Sequence, residues 1–254
     1  MSIVKSVARK IAANLPEFDT VKTFPDFKIR LLTSHSIDFK ILCGVGHEPE
    51  TIAAIKRLVK PGMTAVDVGA NIGWQTLHLA SIVGANGKVV AFEGSDWTYN
   101  RLQRNLLLND FSWVETKRAA VGDTDIPEVE FQFPCGYRLD GKATETKQKV
   151  PMVRLDTALK HLPRIDFIKS DTDGHEPEVL NGAMEIIKRD KPILLFEVAP
   201  YFYKNGELNK LYDELEAIGY MFETLEGRHC NPKYAHVEYP NALELVARCT
   251  NISG

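Results

Sequence analysis

Apolar residues in this chain follow two alternating spacings, and the alternation predicts its architecture. Thr64–Val68, Lys88–Phe92 closing on Glu93, Ile165–Lys169 and Ile193–Glu197 are short, nearly continuous apolar runs, as in strands buried on both faces. Between the runs, apolar positions recur at helical spacing. Ile52, Ile55, Leu58 and Val59 precede Pro61-Gly62, and a second helix runs from Trp74 to about Val83 before the Gly84–Gly87 turn. Tyr99, Leu102 and Leu106 mark a helix over Asp96–Leu108, and Val179, Leu180, Ala183, Ile186 and Ile187 mark one that stops before Pro192. Such repetition builds a doubly wound sheet. A strand over about Val114–Val121, a helix over Leu208–Ile218, and strands over Tyr220–Leu225 and Leu243–Arg248 bring the sheet to seven strands. The segment joining the last two has no helical spacing, so they are expected to pair antiparallel.

The flanks follow other patterns. Phe27–Leu32 and Ile37–Leu42 alternate loosely and predict two or three antiparallel strands within residues 17–50. Ile3, Val7, Ile11 and Leu15 predict an amphipathic N-terminal helix whose other face carries Lys5, Arg9 and Lys10. Docking on the domain or on a second subunit is favoured for it over a membrane surface. The α/β alternation breaks between Asp123 and Leu155, where Val129–Phe133 and Val150–Arg154 read as strands around a polar, mobile Gly141–Lys149 loop. The expected organisation is an N-terminal helix and small β extension over 1–50, serving as lid, substrate wall or homodimer contact. The main domain covers 51–254, with an insert at about 124–155.

Composition narrows the function classes. At 254 residues, 44% apolar and 26% charged, the chain suits a soluble α/β domain. A net charge of -3 gives no electrostatic case for nucleic acid. No apolar run is long enough to span a bilayer, and the first residues lack the continuous apolar core of a signal peptide. Cys43, Cys135, Cys230 and Cys249 are scattered without a Cys-x-x-Cys pair, which reads as reduced thiols and a cytoplasmic location.

The chemistry lies at strand ends. Val66-Asp-Val-Gly-Ala-Asn-Ile-Gly73 runs from an apolar strand through an acid and a glycine-rich turn into a helix, the order of a nucleotide or nucleoside site. Gly69 permits positive φ and close ligand approach, and Gly73 lets the helix start pack near the strand. The spacing is Gly-x-x-x-Gly, not the Gly-x-Gly-x-x-Gly of dinucleotide folds. S-adenosylmethionine sets three needs that this pattern answers. Asp67 with Gly69, Ala70, Asn71 and Gly73 suits the methionine end. Glu93, followed by Gly94, suits the ribose diol, because a carboxylate accepts two hydroxyl hydrogen bonds. Ala120, Val121 and Asp123 stand where the adenine slot is expected.

With these motifs the chain resembles FkbM-type methyltransferases. The resemblance adds Glu48-Pro-Glu-Thr51, Lys60-Pro-Gly62, Ala91-Phe-Glu93, Asn105-Leu-Leu-Leu-Asn109, Ala120-Val-Gly-Asp123, Arg154-Leu-Asp156, Ile168–Gly182 and Phe196-Glu197. It covers about residues 48–200. It implies a class I methyltransferase-like sheet, mostly parallel with an antiparallel last strand, S-adenosylmethionine as donor, and O-methylation of a sugar or natural-product hydroxyl. The chain departs from the family at Gly94, where proline is common, and at Asp173-Gly-His175, where a small residue usually follows the glycine.

Methyl transfer to oxygen needs two aligned atoms and a group that accepts the hydroxyl proton. Ser170 closes strand four beside the donor, and Asp171 and Asp173 fall on one side if that strand continues. His175 or Asp171 is the candidate base, with Asp173 orienting base or substrate. Glu197 is placed against the acceptor. Lys169 is a candidate substrate contact and pairs with a carboxylate either in the site or at the sheet edge. Tyr201, with Phe202 and Tyr203, offers rings for stacking, as do Trp97 and Tyr99, although core packing explains most such aromatics. Trp74 and His78 read as packed helix residues, Glu176 as a helix-start acid, and Arg138 and Lys142 as solvated charges or contacts to an anionic acceptor. A variant places Mg²⁺ on Asp171 and Asp173, with Glu197 as a further ligand; the main reading has no metal. The rival functions are a nicotinamide-dependent oxidoreductase, for which a Tyr-x-x-x-Lys dyad is missing, and a non-catalytic interaction protein.

Overall fold

The apolar runs lie side by side in one sheet, in a computed structural model that describes residues 17–138, 143–198, 207–234 and 243–249. The described residues open with a hairpin, β1 (Asp19–Thr23) and β2 (Lys28–Leu32), then two helices, α1 (Ser36–Leu42) and α2 (Pro49–Leu58). The α/β alternation follows as β3 (Thr64–Val68), α3 (Trp74–Val83), β4 (Lys88–Glu93), α4 (Asp96–Leu106) and β5 (Val114–Arg118). An excursion of β6 (Ala120–Val121), β7 (Ile126–Tyr137) and β8 (Ala143–Val153) leads through α5 (Leu155–Ala158) back to β9 (Phe167–Ser170). Then come α6 (Glu176–Asn181), α7 (Met184–Asp190), β10 (Ile193–Val198), α8 (Glu207–Ile218), β11 (Tyr220–Thr224) and β12 (Leu243–Cys249).

The main sheet has the order β11-β12-β10-β9-β3-β4-β5. β12 runs antiparallel to both neighbours, and the remaining pairs are parallel. Alternate residues feed cores on opposite faces. Val66, Val68, Ile168 and Phe196 meet Val179, Leu180, Ile187 and Leu215 on one side. Ala65, Phe167, Leu195 and Val246 meet Ile52, Ile55 and Leu77 on the other. The order turns around between β3 and β9, and ligands of such sheets sit where the winding reverses, beyond the carboxyl ends of the strands.

Four local expectations are corrected. Ile37–Leu42 is helix: Ile37 and Ile41, two side-chain periods apart along a strand and so on one face of it, are also about one helical turn apart. Buried Asp38 in that helix accepts the Leu32 amide at 3.0 Å and pairs with Arg101 at 2.8 Å. The strand expected over Val114–Val121 is divided: β5 stays in the main sheet, while β6 pairs parallel with β8. From Ala143 onward the polar segment is strand β8, with Lys147–Glu130 at 3.3 Å and Lys149–Glu128 at 2.8 Å across the hairpin; the polarity of Lys147 and Lys149 reflects exposure, not irregular backbone. The helix before Pro192 is two helices. Asp156 caps the second by accepting the Ile186 amide at 2.9 Å, and a Cβ on Gly182 at the break would stand 2.0 Å from the Gly122 carbonyl oxygen.

Asn105 and Asn109 of the Asn-Leu-Leu-Leu-Asn motif tie the first hairpin down. Asn105 accepts the Arg30 amide and donates to the Ile72 carbonyl, both at 2.7 Å. Asn109 brackets Lys28 in the same way, at 2.7 and 2.8 Å. Among the described residues no helix is long and apolar enough to cross a membrane. The expected N-terminal helix, Lys142 and the Tyr201–Tyr203 cluster lie outside the described residues.

Candidate active site

A cavity of about 400 Å³ opens where the winding reverses, a size usual for small-molecule sites. Its first wall is the β3–α3 turn, contributing Gly69, Asn71 and Ile72. Gly69 (φ +76°) and Ala70 both donate their amides to the Phe92 carbonyl at 3.0 Å. A Cβ on Gly69 would stand 1.9 Å from the Asp171 carbonyl oxygen, so this glycine admits a neighbouring loop of the protein. Ala70 is buried behind the cavity. Gly73 has φ +91°, and a Cβ there would approach Leu102 to 2.7 Å.

Glu93, Gly94, Ser95 and Thr98 form the second wall. Glu93 accepts three hydrogen bonds at 2.8 Å: Ser95 N and Thr98 Oγ1 on one oxygen, Asn71 N on the other. Burial raises the proton affinity of Glu93, against the pull of those donors. A carboxylate oxygen offers two acceptor directions. One oxygen is therefore filled and the other has one direction left, which narrows the expected pair of ribose bonds to one. Thr98 was not singled out from the sequence, although it stands one helical turn into α4 with the carboxylate of Glu93 within reach. Trp97 and Tyr99 are packing residues: Trp97 stacks on His35 at 4.7 Å, and Tyr99 bonds Thr116 at 3.2 Å.

The third wall is apolar, from Phe92, Ala119, Ala120 and Val121, with Phe131 and Gln132 of β7 alongside. The β7–β8 hairpin thus contributes to the site, which its sequence did not announce. Asp123 stands outside, exposed and bonded to Thr124 at 3.0 Å.

Asp67 and Lys169 lie beneath the cavity, both fully buried, their charged atoms 3.3 Å apart. The other oxygen of Asp67 accepts Thr76 Oγ1 at 2.6 Å. Ser170 is buried in β9, and its hydroxyl has no hydrogen-bond partner.

Asp171, Thr172, Asp173 and His175 form the fourth wall, with Glu197 from β10. Their loop is folded around buried Glu176, which accepts Thr172 N at 2.6 Å, Thr172 Oγ1 at 2.9 Å and Gly174 N at 3.1 Å. Glu176 is thus a loop clamp, beyond the helix-start acid expected of it. His175 meets the Phe131 ring edge-on at 5.9 Å. Burial raises Asp171 to about 6, although Lys169 pulls it down, and Glu48, Asp173 and Glu176 add to the rise. Glu197 rises to about 8 by burial and then the neighbouring carboxylates, and Asp173 also rises by burial. Glu244, opposite Glu197 in the sheet, rises to about 7 by burial, against its bond from Thr51. Glu48 completes the wall: burial would raise it, but His47 at 2.9 Å holds it below its usual range, and Gln75 donates to it at 2.5 Å. Among the described residues no three His, Cys, Asp or Glu gather as a metal-binding group.

A seven-stranded sheet of this order, with a glycine turn and a strand-end acid meeting at the reversal point, defines a class I methyltransferase fold. The chain belongs to the Methyltransferase FkbM domain family, matched over residues 67–231, a family of S-adenosylmethionine-dependent methyltransferases. It is similar to Methyltransferase sdnD of Sordaria araneosa, at 30% identity over 156 residues, covering 47% of this chain and 60% of that protein. It is also similar to the crystal structure of Methyltransferase FkbM from Methylobacillus flagellatus KT, at 21% identity and a TM-score of 0.52, covering 75% of this chain and 44% of that one. The chain thus spans less than two thirds of each relative's length.

Proposed function

We propose that this protein transfers a methyl group from S-adenosylmethionine to a hydroxyl of a sugar, glycan or natural product, with Asp171 accepting the proton. The observation that carries this reading is the position of Asp171. Its backbone crosses the glycine turn at Gly69, and its carboxylate lines the cavity with a proton affinity raised to about 6. A carboxylate of that affinity is ionised at neutral pH and more basic than an ordinary aspartate. Bound at the turn, the sulfonium donor supplies an electrophilic methyl carbon. The methyl carbon would pass to the acceptor oxygen with the sulfur retaining the bonding pair, and the task of Asp171 is to take the proton the hydroxyl gives up. Asp173 and protonated Glu197 orient the acceptor. His175 at the rim is the second candidate base.

The residues present fit the donor. The last free acceptor direction of Glu93 suits one ribose hydroxyl, and Phe92, Ala120 and Val121 give an apolar slot for adenine. Glu48, Glu93, Asp171, Asp173 and Glu197 line the cavity with no lysine or arginine among the described lining residues, which favours uncharged polyhydroxylated acceptors over phosphorylated ones.

Calorimetry with S-adenosylhomocysteine and with NADH, followed by radiolabelled transfer to a panel of sugars and polyketides, tests the reading. Binding of the homocysteine product with label on an ether oxygen is expected. NADH binding with no response to S-adenosylhomocysteine would overturn it, and binding with no transfer across the panel would favour an interaction protein.

A further inference from the structure

Lys169 has no task in this scheme, yet its placement is specific. Its ammonium is fully buried, 3.3 Å from Asp67 Oδ1, 3.6 Å from Asp171 Oδ2 and 3.4 Å from the Gly69 carbonyl oxygen. These partners belong to separate parts of the site. Asp67 is in the sheet and held from its far side by Thr76; Gly69 opens the cofactor turn; Asp171 faces the cavity. Burial alone would strip the proton from Lys169, but Asp67 first and Asp171 second keep it charged. One cation therefore serves two carboxylates, and the nearer, fully enclosed one holds the larger share.

We propose that Lys169 is a positioning residue that fastens Asp171 to the cofactor turn and, by dividing its charge between Asp67 and Asp171, sets the pH at which Asp171 exchanges its proton. This rests on Asp171 being the proton acceptor. Among the described residues the carboxylates facing Asp171 work in the opposite sense: Glu48 at the start of α2, Asp173 and Glu176 from its own loop, Glu197 from β10 and Glu244 from β12, while the imidazoles in the same walls, His47 and His175, act on Glu48 and Asp173 in the same sense as Lys169. Among the described residues, Lys169 is the cation in ion-pair contact with Asp171, and it favours the ionised form.

The test uses the full chain labelled with ¹³C at aspartate carboxyls and followed by NMR against pH, with Asp171→Asn identifying the Asp171 signal. Lys169→Met should raise the Asp171 midpoint by about one unit or more, the usual effect of removing an opposite charge at this range. Asp67→Asn keeps an acceptor for Thr76 and releases the full lysine charge to Asp171, so the midpoint should fall by roughly half a unit or more. Opposite shifts are what a merely structural lysine would not produce. Should Lys169→Met fail to fold with Asp67 buried and unpaired, the double variant Asp67→Asn/Lys169→Met removes both charges and should still show the raised midpoint. Midpoints unchanged, or moving together, in folded variants would overturn the proposal. Survival of label transfer in Asp171→Asn would instead refute the base assignment, which separates the two failures.

Discussion

Replacing Glu197 by glutamine isolates the electrostatic cost of the acceptor wall without changing its shape. Burial and the carboxylates of Asp171, Glu176, Asp173 and Glu244 raise Glu197 from 4.5 to about 8. An acid that binds its proton more tightly folded than unfolded is most favourable to folding below about pH 4.5. Its contribution then declines as pH rises toward about 8 and is level above that. Each unit corresponds to about 1.4 kcal/mol, so the full shift would cost several kcal/mol at high pH. Glu197 is only partly enclosed, and screening by water reduces the cost to about 1–2 kcal/mol. The glutamine variant lacks this decline. Thermal unfolding should therefore give equal Tm within about 1 °C at pH 4.5, and a variant about 3–7 °C more stable at pH 9. A Tm difference of the same size at both pH values would refute the reasoning, because packing and not charge would then be responsible.

Gly69→Ala should cost roughly 3 kcal/mol or more, from a left-handed backbone and a Cβ driven against the Asp171 carbonyl; urea unfolding measures it, and a loss below about 1 kcal/mol would mean the loop moves aside freely. Glu176→Ala leaves the amides of Thr172 and Gly174 without their acceptor, so unfolding free energy should fall by about 2–4 kcal/mol and proteolysis should begin within 171–175. Once an acceptor is known, His175→Ala should leave S-adenosylhomocysteine affinity unchanged within about twofold. Label transfer should stay above about a tenth of wild type, since Asp171 carries the proton; a loss of a hundredfold or more would make His175 the base instead.

Much of the sheet was legible along the chain because parallel strands buried on both faces must be apolar throughout. Thr64–Val68 and Lys88–Glu93 therefore have sharp borders in both descriptions. Ile37–Leu42 was misread because apolar residues four apart satisfy a strand and a helix alike, and only packing against β2 and Arg101 selects the helix. The β6–β8 pairing was illegible, since a parallel pairing across so long a connection leaves no local periodicity.

For the site, the chain alone determined which residues stand at strand ends: Asp67, Glu93, the Ser170–Glu176 segment and Glu197 are placed there by the period of the strands before them. Which of these face the cavity was decided only by the tertiary structure. Asp67 and Lys169 turn inward and satisfy each other, whereas Asp171, two residues after Lys169, turns out beside Gly69. The physical reason is that a buried charge must find an opposite charge. Its partner here comes from another strand, about a hundred residues away in sequence and 3.3 Å away in space.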